Sequence, residues 1–172
     1  MSLLDLTMAA MEGAKVTHLV LTANGENAAL DAACRKHPDI DVIDSTREGE
    51  AVAIASGLAL GGARPCLTME NFGLFESLDS FRSLPCDFEI GLPVFIGYTG
   101  RPASGGADVL DPILGNITSQ VVMAGEWTEP VLDAVGIPHR LLAEGADDDA
   151  NRDALAAAFA ANGPFALLLE SI

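Results

Sequence analysis

STREGEAVAIASGLALGG, from Ser45 to Gly62, is the stretch whose reading decides the fold. It follows an apolar, β-prone run at Asp41, Val42 and Ile43 and passes directly into small and apolar residues, the pattern of a strand delivering the chain to a buried helix. Ala51, Ala53, Ala55, Ser56, Gly57 and Ala59 leave this helix with almost no polar face. It is therefore expected to be covered on several sides, its small residues letting another backbone approach. Glu48 and Glu50 stand at its mouth, and two readings of Glu48 are open. With Ser45 it fits a capping box, and acids in a first turn suit the helix dipole. Alternatively, a carboxylate held at the rim of a dry helix is a catalytic group.

Outward from this stretch, helix and strand alternate with short joints, which predicts a doubly wound α/β domain: a mostly parallel sheet with helices on both faces. Leu3 to Gly13 is a first amphipathic helix and Thr17 to Thr22 a first strand. Ala23 to Asn27 turns into a helix over Ala28 to Lys36, Asp41 to Asp44 is the second strand, and Pro65 to Glu70 the third. Asn71-Phe72-Gly73 is read as a sharp loop entering a helix that runs toward Leu84. Ligands collect at the carboxyl ends of parallel strands, and Glu48 and Asn71 both lie just past such ends, so one crevice holds both.

Leu92 to Tyr98 is the fourth strand. Thr99 to Asp111, rich in Gly, Ala and Pro, reads as a long functional loop that carries Arg101. Ile113 to Met123 and Glu129 to Val135 read as two helices, His139 to Leu142 as a strand, Asp149 to Ala161 as a helix and Phe165 to Leu169 as the last strand. No repeat or linker divides residues 1–172, so one domain is expected.

Nine basic residues stand against twenty-five acidic ones, a formal charge of −16 that argues against nucleic acid as a partner. With 49% hydrophobic residues and a mean hydropathy of +0.32, the chain is apolar for a small soluble monomer. Part of its surface is expected to be covered by another subunit. Cys34, Cys66 and Cys86 are too few and too widely spaced for a disulfide framework or a metal site. The acidic N-terminal stretch is unlike a signal peptide and no run of 18 apolar residues occurs, so a cytoplasmic, non-membrane protein is expected. His18, His37 and His139 read as structural or exposed, Tyr98 and Trp127 as packing or interface residues, and Arg82 as a solvated helix position.

Four blocks carry a resemblance. Glu48 to Gly57 resembles the Glu-initiated helix of the pyrimidine-binding domain of thiamine-diphosphate enzymes. MENFGLFESLDSFRSL (Met69 to Leu84), GLPVFIGYTGRP (Gly91 to Pro102) and VVMAGEWTEPVLDAVGIP (Val121 to Pro138) are similar to matching blocks of the α subunits of sulfopyruvate and phosphonopyruvate decarboxylases. The resemblance implies the pyrimidine domain of the thiamine-diphosphate-binding fold and non-oxidative loss of carbon dioxide from a 2-oxo acid. By residue-to-residue match, the resemblance implies that Glu48 holds the ring nitrogen of the aminopyrimidine; Asn71 and Gly73, kept from the family pattern, are expected to shape the cofactor pocket, and Asn71 with Arg101, a cation two positions after the family's Arg, to meet the substrate.

The family binds diphosphate and Mg2+ through a domain bearing Gly-Asp-Gly, a triplet that does not occur here. The resemblance therefore implies a separate diphosphate-binding β subunit, a dimer or higher oligomer, and an active site between chains. The family's Gln-Asn-Ser-Gly-Leu-Gly-Asn is here Glu70 to Glu76, keeping only Asn71, Gly73 and Leu74, and its Trp-Arg-Gly-Glu-Pro is here Tyr98 to Pro102. Its later Glu-Pro-Gln-His is here Asp111 to Leu114. Fewer cations and more acids suit a doubly charged sulfonate or phosphonate poorly, so either Arg101 compensates or the substrate is a less charged 2-oxo acid. Two other readings stand beside this one: a non-catalytic regulatory module that kept the fold, and an unrelated Rossmann-like nucleotide binder.

Overall fold

The computed structural model describes residues 1–23, 25, 27–101, 115–145 and 147–169, with the backbone alone over 115–122. In chain order the elements are α1 (Leu3–Gly13), β1 (His18–Leu21), α2 (Ala28–Cys34), β2 (Asp41–Asp44), α3 (Glu48–Leu60), β3 (Pro65–Glu70) and α4 (Asn71–Phe81). A π-helical turn (Arg82–Cys86) extends α4, followed by β4 (Leu92–Gly97), α5 (Gly115–Ala134), β5 (His139–Leu142), α6 (Asp148–Ala160) and β6 (Pro164–Leu169).

The six strands form one sheet in the order β2-β1-β3-β4-β6-β5, and every neighbouring pair is parallel. β4 and β6 are buried along their whole length, whereas β2 and β5 at the edges carry Asp41, Asp44, His139 and Arg140. Charge at an edge leaves unpaired backbone groups solvated and resists pairing with another sheet. The two-residue period of a strand divides the core. Leu19, Leu21, Phe95, Phe165, Leu167 and Leu169 meet Leu3, Leu6, Leu30 and Leu155 of α1, α2 and α6 on one face. Val20, Val94, Ile96, Ala166 and Leu168 meet Ala51, Val52, Leu74 and Leu132 of α3, α4 and α5 on the other. Cys34 and Cys66 are fully buried within the first cluster, as small core hydrophobes.

The doubly wound architecture is as the alternation predicts, and three local expectations are corrected. Asn71 to Gly73 is no loop: Asn71 is the first residue of α4, directly after β3. The two helices expected over 113–135 are one, α5, running through Gly125 and Pro130. α3, expected to be covered on several sides, buries one stripe of Ala51, Val52, Ala55 and Ser56 and leaves Ala53, Gly57 and Leu60 exposed. Residues 102–114, most of the expected long loop together with Asp111 to Leu114, lie outside the described residues, as do Asn24 and Glu26 of the first turn. No helix among the described residues is long and apolar enough to cross a membrane.

Candidate functional site

The connections leaving β1 and β3 run in opposite directions, β1 toward β2 and β3 toward β4, so the winding reverses between these adjacent strands. A crevice opens outside the carboxyl ends of strands at such a reversal. Here the two ends are tied together. The Gly25 N–H donates to Glu70 Oε1 at 3.3 Å, and fully buried Asn27 donates through Nδ2 to the Met69 and Phe95 carbonyls at 3.3 Å each.

α3 crosses β1 and β3 and packs against α4, and each helix sets a carboxylate on the other. Glu48, half-buried, lies on Gly73: a Cβ added to Gly73 would stand 2.2 Å from Glu48 Cγ and 2.9 Å from both Cδ and Oε1. In return, Glu76 of α4 accepts from the Gly49 N–H at 3.0 Å and from Arg47 Nη2 at 2.6 Å. The Arg47 guanidinium, then the Gly49 N–H, hold the Glu76 carboxyl below the usual carboxylate range. The approach is tight on both sides, since a Cβ on Gly49 would meet Ser80 Oγ at 3.0 Å.

The Ser45–Glu48 capping box is not formed. The N-cap of α3 is Arg47, without a side-chain cap, and Ser45 Oγ donates to Glu50 Oε2 at 2.8 Å instead. Glu76 thus performs the capping that sequence spacing assigned to Ser45 and Glu48.

Asn71 is fully buried. Its Nδ2 donates to the Thr99 carbonyl at 2.9 Å and to Thr128 Oγ1 at 3.0 Å, while its Oδ1 is buried with no hydrogen-bond partner among the described residues. Thr128, also fully buried, donates to the Ala124 carbonyl at 2.7 Å. One turn earlier Gly125 meets the same segment, and a Cβ there would fall 1.7 Å from the Gly100 carbonyl oxygen. Tyr98 donates to Glu129 Oε1 at 2.9 Å, and burial, then the Glu129 carboxylate, push its phenol well up, opposed by Arg101.

Of the expected site residues, Glu48 and Gly73 are therefore in contact. Asn71 sits two positions before Gly73 with its side chain inside, tying α4 to α5. Arg101, half-buried, ends the segment that Asn71, Gly125 and Tyr98 hold. Glu76, Gly49, Gly125 and Thr128 were not singled out from sequence. Reading Asn71 to Gly73 as a loop concealed that Glu76 lies one helical turn from Gly73 on the same face of α4.

The remaining candidates are occupied elsewhere. Arg82 pairs with Asp79 at 2.8 Å and Asp87 at 3.5 Å on the surface. His18 bonds Thr17 Oγ1 at 2.8 Å, His37 faces Glu12 at 3.3 Å and His139 faces Glu129 at 3.7 Å. Burial pushes the Cys34 thiol up to about 12 and the Cys66 thiol well above its ordinary value, so neither is a ready nucleophile. A groove of about 430 Å3 lined by Leu60, Arg64, Pro65, Phe88 and Phe159 lies where β3 and β4 begin, at the opposite end of the strands from Glu48.

No protein-family model matches the chain. In sequence it is 32% identical over 101 residues to sulfopyruvate decarboxylase subunit alpha of Methanococcus maripaludis, covering 59% of this chain and 53% of that one. It is 31% identical over 96 residues to the subunit of the same name from Methanocaldococcus jannaschii, covering 56% and 50%. The matches thus span about half the length of these curated relatives.

Among solved structures, the thiamine diphosphate-dependent 4-hydroxybenzoylformate decarboxylase of Rhodococcus jostii superposes with a TM-score of 0.66 at 14% identity, over 98% of this chain and 30% of that one. Benzoylformate decarboxylase from Polynucleobacter necessarius superposes with a TM-score of 0.64 at 17% identity, over 97% and 29%. The chain therefore has the fold of thiamine-diphosphate-dependent enzymes and, in sequence, resembles the α subunits of sulfopyruvate decarboxylase.

Proposed function

We propose that this chain, as one pyrimidine-binding domain over residues 1–172, is the α subunit of a cytoplasmic, thiamine-diphosphate-dependent 2-oxo acid decarboxylase of the sulfopyruvate type. A separate β subunit bearing Gly-Asp-Gly supplies the site for diphosphate and Mg2+. The observation that carries this reading is the Glu48 carboxylate lying on the bare backbone of Gly73, beside the reversal point of the sheet. Bare Gly73 leaves room for the Glu48 side chain to lie on α4 beside the carboxyl ends of the strands, a placement that suits a carboxyl group meeting a ring nitrogen and so supports the fit of the pyrimidine.

Thiamine diphosphate, when bound, supplies a carbon nucleophile for the keto group and an electron sink while carbon dioxide leaves. Glu48 of this chain holds the hydrogen bond at the pyrimidine ring nitrogen. Glu76 and Arg47 keep the first turn of α3 in place beneath it. Asn71 fixes the start of α4, and with it Gly73, relative to the segment that ends at Arg101. Arg101, one of nine cations in the chain, receives the anionic group of the substrate. Salt limits that attraction to about 8 Å at physiological ionic strength, and it acts against the repulsion of a chain whose net charge is −16.

The test is reconstitution with a Gly-Asp-Gly subunit, thiamine diphosphate and Mg2+, measuring carbon dioxide release from sulfopyruvate, phosphonopyruvate and pyruvate. Glu48→Gln is expected to lower release by at least about a hundredfold with the circular dichroism spectrum unchanged. Full release by the variant reduces Glu48 to a helix-terminal acid and removes the reading.

A further inference from the structure

The outward face of α5 carries an apolar row that no described residue covers. Met123, Trp127, Pro130 and Ala134 follow one another at helical spacing and are all exposed, Met123 by 43% and Trp127 by 53%. The opposite row, Ala124, Thr128 and Leu132, is packed into the domain. A tryptophan left half open on a helix whose other side is fully buried marks an unpartnered face.

The charges edging this row are of one sign. Glu126, Glu129 and Asp133 are exposed, and α5 contains no Lys or Arg. Glu129 is engaged by Tyr98 and faces His139 at 3.7 Å, and Asp133 lies 4.0 Å from His139 with its side chain 77% exposed. A second copy of the chain would bring no cation to these acids from its own α5 and would set two molecules of charge −16 together. Like charges at a contact are costly and opposite charges select the partner. The face is also fastened to the candidate site, because Thr128, next to Trp127, bonds Asn71, which starts the helix that bears Gly73.

We infer that the outer face of α5 is the docking surface for the β subunit, which meets it with an apolar ridge edged by Lys or Arg side chains. This rests on the two-subunit reading above. Trp127 is the chain's sole tryptophan and reports directly on its own face.

The experiment mixes the full chain with the Gly-Asp-Gly subunit and follows sedimentation, carbon dioxide release and tryptophan emission, taking Trp127→Phe as the emission blank. Docking here shifts Trp127 emission to the blue. Trp127→Glu and Glu126→Lys each weaken assembly at least about tenfold while the free variants keep the native circular dichroism spectrum, and assembly weakens further from 0.05 to about 0.5 M salt. An active complex with unmoved emission, assembling equally well with both variants, overturns the inference and leaves the proposed activity standing. A blue shift produced by the chain alone as its concentration rises assigns the face to a second copy and also overturns it. Absence of any complex or turnover removes the two-subunit reading, and this inference with it.

Discussion

Glu48 and Gly73 share one space: the Glu48 side chain fills the position that a Cβ of residue 73 would occupy, 2.2 Å from Cγ. The consequence is testable by the smallest substitution available. Gly73→Ala is favoured by helix propensity, by roughly 1 kcal/mol, so a loss of function cannot be blamed on a weaker α4. Displacing the Glu48 carboxyl by about 1 Å is expected to lower carbon dioxide release in the reconstituted enzyme by about a hundredfold, with Tm nearly unchanged. Wild-type turnover by Gly73→Ala would show that the contact has no part in the chemistry.

Glu76 anchors the first turn of α3 through Gly49 and Arg47. Its carboxyl is held below the ordinary value of 4.5, so this stabilisation is complete above that pH and disappears as pH falls through the lowered value. Relative to the intrinsic exchange rate at each pH, protection of the Gly49 amide is expected to fall in the wild type as the pH drops through the lowered Glu76 value, and to be lost already at neutral pH in Glu76→Ala. Equal protection in both proteins at pH 7 would show that the turn is held by other contacts.

Asp31 of α2 behaves in the opposite sense. Burial, assisted by the neighbouring Asp44 carboxylate, pushes it from 3.8 up to about 6 despite a 3.3 Å hydrogen bond from Thr68 and the nearby Arg35. The folded chain therefore holds this proton more tightly than the unfolded chain, and stability falls as pH rises from about 4 to 6 and stays lower above. After discounting for the exposed part of the group, the cost at neutral pH is on the order of 1 kcal/mol. Asp31→Asn, which keeps an acceptor for Thr68, is expected to raise Tm by about 2–4 °C at pH 8 and to change it little at pH 4. An equal shift at both pH values would mean that titration is not the cause.

The junction between β4 and α5 depends on one polar tie and one bare backbone. Thr128→Val removes an acceptor from buried Asn71 and is expected to cost about 1–2 kcal/mol in urea unfolding. Gly125→Ala places a methyl 1.7 Å from the Gly100 carbonyl oxygen, where only backbone movement relieves the clash, and is expected to cost more than Thr128→Val. The reverse order would mean that the helix shifts freely against the Tyr98–Arg101 segment.

The particular misreadings share a cause. Gly125 and Pro130 look like helix breakers, yet Gly125 is glycine because the Gly100 backbone passes there, a contact across 25 positions of chain that local pattern does not contain. Ser45 and Glu48 have the spacing of a capping box, but the cap comes from Glu76 on the next helix, so Glu48 is left to lie on Gly73. The even small-residue pattern of α3 announced close packing without saying on which sides, and Ala53, Gly57 and Leu60 remain exposed.

By itself the sequence determined the alternation of helix and strand, the parallel sheet and the acidic group that opens α3, because periodicity and propensity act over a few neighbouring residues. It also carried the family resemblance, since that lies in residue order. The tertiary structure alone decided which carboxylate caps and which is left over, where Asn71 points, and which face of α5 stands open. Those outcomes depend on distances between elements far apart in the chain, and such distances are set when the two layers of helices close on the sheet.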